Sequence, residues 1–377
     1  MVASSGGLLP NHWPVSIAFS PDSERLACCG HIKGRTPFVQ ILSVDKGSRL
    51  AILEGLALDY NDPILQLACA WLPDKLIFAC LSRSTLYVRI WDPHTFEPLS
   101  SWQDVLPISH GSPSLLLSHD GRRLAVAAIY DPSKGAMRPT WGHPSAANIP
   151  LCVLQDLETG GPHEVLRARG NQGDVRAASF DREGERLALS FADHTIRIWS
   201  VATRELVLSV AEPIPLEFDP CYHLYNRISS RFLSLDVSAK AVAFSPDGRH
   251  LLSLRYMRVE DRLETLVILW DTLTGRPLLR WDDTRSPGVY RNSGLAAFTP
   301  CGRYVAFAAN DGRVHVFDLS CGGLSVRSHW RSRSEDVSMQ LRPLSTSWHV
   351  AESLVFSSDG QTLCWGTRDG GVEIRLF

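Results

Sequence analysis

A short polar turn recurs along the chain, each time between apolar runs. The clearest copy is Phe244-Ser245-Pro246-Asp247-Gly248, and related copies begin at Phe19, Trp71, Leu117, Phe180, Phe298 and Phe356. Each follows one strand-like run and precedes a second and a third. The third often closes in a Trp-Asp pair, as at Trp91-Asp92 and Trp270-Asp271. A period of this kind specifies an architecture before any single residue specifies a chemistry. By length alone 377 residues would make two or three domains. Repeats that close on one another override that expectation and form one body.

Aligned on their turns, the copies show a common order. Val15-Ser16-Ile17-Ala18-Phe19, residues 175–180 and Ala241-Val242-Ala243-Phe244 are short, apolar and β-prone. The turn supplies Pro, Asp and Gly, each suited to a tight hairpin. Second strands are expected at 25–29, 124–129, 187–191, 251–255, 304–308 and 362–366. Third strands are expected at 38–42, 86–91, 151–155, 195–199, 266–270, 313–317 and 372–375. A further turn, as at Thr274-Gly275, leads to a fourth strand such as 205–210 or 277–281.

Four antiparallel strands repeated seven times resemble a WD-repeat β-propeller. The residues that carry the resemblance are Thr195-Ile196-Arg197-Ile198-Trp199, Val88-Arg89-Ile90-Trp91-Asp92 and Val267-Ile268-Leu269-Trp270-Asp271, each with its upstream turn. The resemblance implies an all-β, seven-bladed propeller of four-stranded antiparallel blades. It would be a single domain over 1–377, with blades starting near 15, 64, 113, 174, 239, 294 and 351. The regular Arg- and Leu-rich copies look more like bacterial repeats than eukaryotic ones. Blades of this family often carry a buried hydrogen-bonded set of Trp, Ser or Thr, His and Asp. Here the Asp six residues before the Trp position stands at Asp193, Asp311 and Asp369, each expected to hold a turn. The Trp position itself holds Leu42, Gln155, Phe317 and Arg375 in four blades. These departures imply a ring held mainly by apolar packing.

The repeats are long: successive copies lie about 56 residues apart, where such repeats need roughly 40–45. The surplus falls at 31–36, 131–149, 256–264, 212–238, 282–293 and 327–349. All six belong to connections of two kinds, second to third strand and fourth strand to the next blade. Those two kinds open on the same face. Insertions gathered on one face mark a binding face, with neutral drift in tolerant loops as the alternative. The last copy ends after a third strand, and family members close the ring by lending an N-terminal strand to the last blade. Gly7-Leu8-Leu9-Pro10 is the expected closing segment. An unpaired edge would otherwise expose backbone donors and acceptors.

Composition narrows the function. A formal net charge of -2 with 21% charged residues argues against a dedicated nucleic-acid or acidic-membrane binder. No run approaches the ~18 apolar residues of a membrane span, and residues 1–14 lack the pattern of a secretory signal. Nine cysteines without framework spacing, several inside expected strands (Cys28, Cys80, Cys152, Cys364), point to a reducing, cytoplasmic compartment. Cys221-Tyr222-His223 is the nearest thing to a metal pair, and it lacks ligand spacing. No nucleophile motif or phosphate loop is present. No catalytic residue, metal or cofactor is therefore expected. Gly322-Gly323 and Gly370-Gly371 read as hairpin turns.

The candidate binding residues are Arg327, Trp330, Arg331 and Arg333, with the loop aromatics Trp141, Tyr256 and Tyr290. Arginine interleaved with an aromatic can hold phosphate or stacked bases. Glu335, Asp336, Asp282 and Asp283 nearby make an acidic peptide the better guest. The plain alternative is a solvated loop whose aromatics fold inward. The first functional expectation is a non-catalytic scaffold or sensor that binds a protein partner within a larger assembly. The second is a propeller enzyme working in its central channel, lactonase-like or quinone-dependent. The third is a nucleic-acid-associated subunit using the arginine-rich loops.

Overall fold

A computed structural model describes residues 2–4, 12–32, 37–54, 64–82, 85–106, 114–127, 149–158, 164–168, 175–191, 193–211, 240–259, 262–283, 295–308, 314–319, 351–367 and 372–376. Among them every regular element is a β-strand, and every pairing is antiparallel. The first strand, β1 (Val2–Ser4), belongs to the last blade. Blade one pairs β2 (His12–Phe19), β3 (Arg25–Ile32), β4 (Pro37–Ser43) and β5 (Arg49–Glu54) in chain order. Blade two pairs β6 (Ile64–Trp71), β7 (Leu76–Ser82), β8 (Thr85–Trp91) and β9 (Pro98–Val105). Blade three pairs β10 (Ser114–Leu117), β11 (Arg123–Ala127), β12 (Ile149–Asp156) and β13 (Glu164–Ala168).

Blade four pairs β14 (Val175–Phe180), β15 (Arg186–Phe191), β16 (Thr195–Ser200) and β17 (Leu206–Ala211). Blade five pairs β18 (Ala241–Phe244), β19 (His250–Val259), β20 (Arg262–Asp271) and β21 (Pro277–Asp283). Blade six has three described strands, β22 (Ala296–Phe298), β23 (Tyr304–Ala308) and β24 (Val314–Asp318). Blade seven consists of β25 (Ala351–Phe356), β26 (Thr362–Thr367) and β27 (Val372–Leu376), with β1 as its outer strand.

The first strands of successive blades touch in order around the ring, and β2 also touches β25. The molecule is thus a closed seven-bladed β-propeller. Period-two alternation puts apolar side chains on both faces of each blade, and each face needs a neighbour. The core accordingly forms seven apolar wedges, one at each junction between blades. Between blades one and two, Val39 and Ile41 meet Leu76, Phe78 and Trp91. Between seven and one, Cys364, Val372 and Ile374 meet Ile17, Leu26 and Leu42. Phe78 and Leu76 are fully buried, and each such side chain stabilises the fold by about 1.5–3 kcal/mol. Four rings fill the wedge between blades five and six. Trp281 lies 5.2 Å from Phe307, 5.3 Å from His315 and 5.5 Å from Phe317.

Two expectations need correction. The closing strand is Val2–Ser4, paired Val2↔Arg375, Ala3↔Ile374 and Ser4↔Glu373. It is not the segment around Leu8 and Leu9, which lies outside the described residues. Val-Ala-Ser keeps every backbone donor, whereas Pro10 would interrupt a ladder. Second, much of 256–264 is not a loop. β19 and β20 stay paired out to Val259↔Arg262, and Tyr256 sits opposite Thr265. Tyr, Val and Thr favour a pleated ladder, so this hairpin simply grows longer. Residues 31–32 likewise end β3, and 282–283 end β21.

Removing residues 1–4 strips blade seven of its outer strand. The truncated chain is expected to melt at a lower temperature and to aggregate more readily. A melting temperature equal to that of the full chain would show that β1 does not close the ring.

Candidate functional site

The strand order sorts the connections onto two faces. First-to-second and third-to-fourth turns open on one, here the turn face. Second-to-third and blade-to-blade connections open on the other, the loop face. The two faces differ in chemistry as well as in length.

On the turn face one hydrogen-bond pattern recurs. Ser20, Ser118, Ser245 and Ser357 are buried at 0%, 1%, 3% and 0% exposure. Each hydroxyl accepts the amide five residues on, from Arg25, Arg123, His250 and Thr362, at 2.9 Å in every case. Each donates to the carboxylate two residues on, as Ser118 does to Asp120 at 2.5 Å and Ser245 to Asp247 at 2.6 Å. That carboxylate also accepts an amide of the turn, from Arg122 at 3.0 Å or Gln361 at 2.9 Å. A buried hydroxyl would be costly without such partners. Blade six keeps the pattern with Thr299, which accepts the Tyr304 amide at 3.0 Å, and places Cys301 where the others have Asp. Blade four uses Asp181, which accepts the Arg186 amide at 2.9 Å.

Arg186 also ties its blade to the next. Its guanidinium binds Asp181 at 2.8 Å, donates to the Gly248 carbonyl at 2.7 Å and lies 5.1 Å over the Phe244 ring. Gly248 has φ +65°, and a Cβ there would meet the Arg186 Nη2 atom at 2.2 Å. Only glycine fits both the turn and the staple. Arg25, at the matching position of blade one, lies 5.1 Å over Trp71 of blade two.

The turn carboxylates are held below the ordinary aspartate range. For Asp92 and Asp271 the leading cause is a backbone amide, from Thr95 and Thr274 respectively. For Asp359 it is the Ser357 hydroxyl. At Asp22 and Asp247 burial is the largest influence and pushes upward. The serine hydroxyl, the turn amide and neighbouring positive charge outweigh it.

The loop face offers fewer described residues. Asp193 lies between β15 and β16. It accepts the Thr195 amide at 3.0 Å, the Thr195 hydroxyl at 2.5 Å and Arg197 Nη2 at 2.8 Å. The Arg197 guanidinium covers the Phe191 ring at 4.7 Å. In blade five Trp270 Nε1 donates to Ser253 Oγ at 2.9 Å in a fully buried pair. Asp311 and Asp369 lie outside the described residues, as do Trp141, Tyr290, Arg327, Trp330, Arg331 and Arg333. Tyr256 is in β19 rather than in a loop. Of the candidate binding residues, only Tyr256 is therefore among the described ones. Among the described residues no group of three or more His, Cys, Asp or Glu could hold a metal.

Sequence reading missed the serine of the turn and the arginine staple. The signal was available: Ser follows the aromatic at Ser20, Ser245 and Ser357, and Arg stands six places after it at Arg25 and Arg186.

Similarity to known proteins agrees with the ring. The family described as WD domain, G-beta repeat matches residues 163–200, which cover the end of blade three and most of blade four. A stretch of 198 residues is 27% identical to the periodic tryptophan protein 2 homolog of Schizosaccharomyces pombe. The match covers 49% of this chain and 20% of the relative's length. The repeat, the closed ring and these two matches make the chain similar to WD-repeat propellers. Neither match supports a bacterial character for the copies.

Depressed carboxylates stabilise the fold above their unfolded value and lose that effect as the pH falls through the folded values. Melting temperature should thus stay level from neutral pH to pH 5 and drop steeply below about 4. A melting temperature that stays flat to pH 2.5 would remove these carboxylates from the account. Asp193→Ala should cost about 1–3 kcal/mol in denaturant unfolding, and Asp336→Ala much less. Equal losses would deny Asp193 a structural role.

Proposed function

We propose that the chain is a non-catalytic scaffold or sensor that holds a protein partner on its loop face, as a subunit of a larger assembly. The observation that carries this reading is the difference between the faces. The turn face repeats one short, internally satisfied turn, and its backbone groups are already committed. Long connections such as 128–148, 212–239 and 284–294 all join strands at the opposite face. Surface that the ring does not need for its own stability is free to be shaped for a partner. WD-repeat composition supports the same reading, since propellers of this family serve as interaction platforms.

Within that face, Arg327, Trp330, Arg331 and Arg333 are the proposed anchors, together with Trp141, Tyr256 and Tyr290. Arg, Trp and Tyr dominate interface hot spots, and an acidic peptide segment is the matching guest. The reading treats residues 1–377 as one domain and sets it in the cytoplasm. Thiols that pack as apolar side chains, such as Cys80 and Cys152, support a reducing setting. Burial alone pushes the Cys80 thiol up to about 12, which keeps it protonated and inert. No described helix is long and apolar enough to cross a membrane.

Replacing Trp330 and Arg331 together, or shortening 131–149, should lower partner recovery at least tenfold with the melting temperature nearly unchanged. A hot-spot loss of about 2 kcal/mol or more corresponds to that factor. Variants at Thr274 or Asp22 on the turn face should keep the partner. The reverse outcome would place binding on the turn face.

A further inference from the structure

β3 carries adjacent cysteines, and alternation sends them to opposite sides of blade one. Cys28 faces blade seven, in the wedge that holds Cys364. Cys29 faces blade two, where Cys69 of β6 packs against the same wedge. β3 and β6 are in contact across this junction. Ser16 of β2 joins the two thiols. The Cys29 thiol donates to the Ser16 carbonyl at 3.4 Å, and the Cys69 sulfur lies 3.7 Å from the Ser16 hydroxyl. That hydroxyl also accepts the Cys69 amide at 3.2 Å, which fixes the backbone of β6 beside it. Both sulfurs thus lie against the same residue, Ser16.

We propose that Cys29 and Cys69 are a peroxide-sensitive dithiol that closes into a disulfide between blades one and two. The two members differ in the way such chemistry needs. Cys29 is fully buried, whereas Cys69 is partly exposed on the innermost strand. Hydrogen bonding from Cys29, the larger influence, draws the Cys69 thiol below its ordinary value against burial. Burial holds Cys29 well above it. The partly exposed Cys69 is the thiol that peroxide can reach, and the buried Cys29 resolves.

The Cys69 sulfur attacks one oxygen of hydrogen peroxide, the O–O bond breaks, and a sulfenic acid and water result. The Cys29 sulfur then attacks the Cys69 sulfur, the S–O bond breaks, and a second water leaves with the Cys29 proton. Two thiols lose two electrons and two protons, and one peroxide becomes two waters. The disulfide would tie β3 to β6, so a junction held by apolar packing gains a covalent link. A thiol reductant reverses it.

The test treats the folded full-length chain with hydrogen peroxide, alkylates the remaining thiols and maps disulfides by mass spectrometry of the digest. A linked pair of peptides containing Cys29 and Cys69 is expected, with Cys80 still alkylated. The melting temperature should rise on oxidation and return with dithiothreitol. In Cys29→Ala, which keeps the attacking thiol, dimedone should label Cys69 after peroxide. In Cys69→Ala, dimedone should leave Cys29 unlabelled. Alkylation of both cysteines after peroxide would overturn the proposal. So would a linkage seen only in urea, or equal labelling of Cys29 and Cys80 in the folded protein.

Discussion

A four-stranded blade with apolar side chains on both faces cannot bury them by itself. That constraint governs the whole molecule. Cys28 and Cys29 show it within one dipeptide, the first sealed against blade seven and the second against blade two. Each blade needs two neighbours, so a row of blades would leave two apolar faces open. Closing the ring removes both. Its last pairing is made by three residues at the start of the chain and three near its end, Val2–Ser4 against Glu373, Ile374 and Arg375.

Polar order on the turn face complements the apolar wedges. Packing brings blades together but does not choose their mutual height, since apolar contact has no direction. Arg186 supplies direction by reaching from its own turn to the Gly248 carbonyl and the Phe244 ring of the next blade. The buried serines of blades one, three, five and seven, with Thr299 and Asp181 in their place in blades six and four, fix where the second strand starts. Together these contacts spend the turn face on the ring itself. On the loop face the described contacts of Asp193 stay within one blade, and the longest connections join strands there. Division of labour between the faces is the physical basis for assigning partner binding to one of them.

The blades were legible in the sequence because two local signals coincide. Alternating apolar runs such as 195–199 are bounded by turns rich in Pro, Asp and Gly. The closing strand was harder to read, because Val2-Ala3-Ser4 is only three residues long. The long hairpin of blade five was also obscured. Arg255, Arg258, Arg262 and Glu264 read as a polar insertion, yet the ladder pairs Arg258 with Leu263 and Val259 with Arg262. Contacts across junctions were not legible at all. Nothing local to Cys29 or Cys69 tells that both reach Ser16, because the fit between blades lies in no single stretch of chain. The arginine and aromatic anchors proposed for the partner were chosen by residue type alone, and no described contact joins them.

Native-state hydrogen exchange tests the closed ring most directly. The amides of Arg25, Arg123, Arg186, His250, Tyr304 and Thr362 occupy one equivalent turn position in six different blades. If seven wedges link every blade to its neighbours, these amides exchange only through a common opening and show one shared protection free energy. Protection that declines from blade four toward blades one and seven would contradict the account, because it would describe an open row of blades with fraying ends.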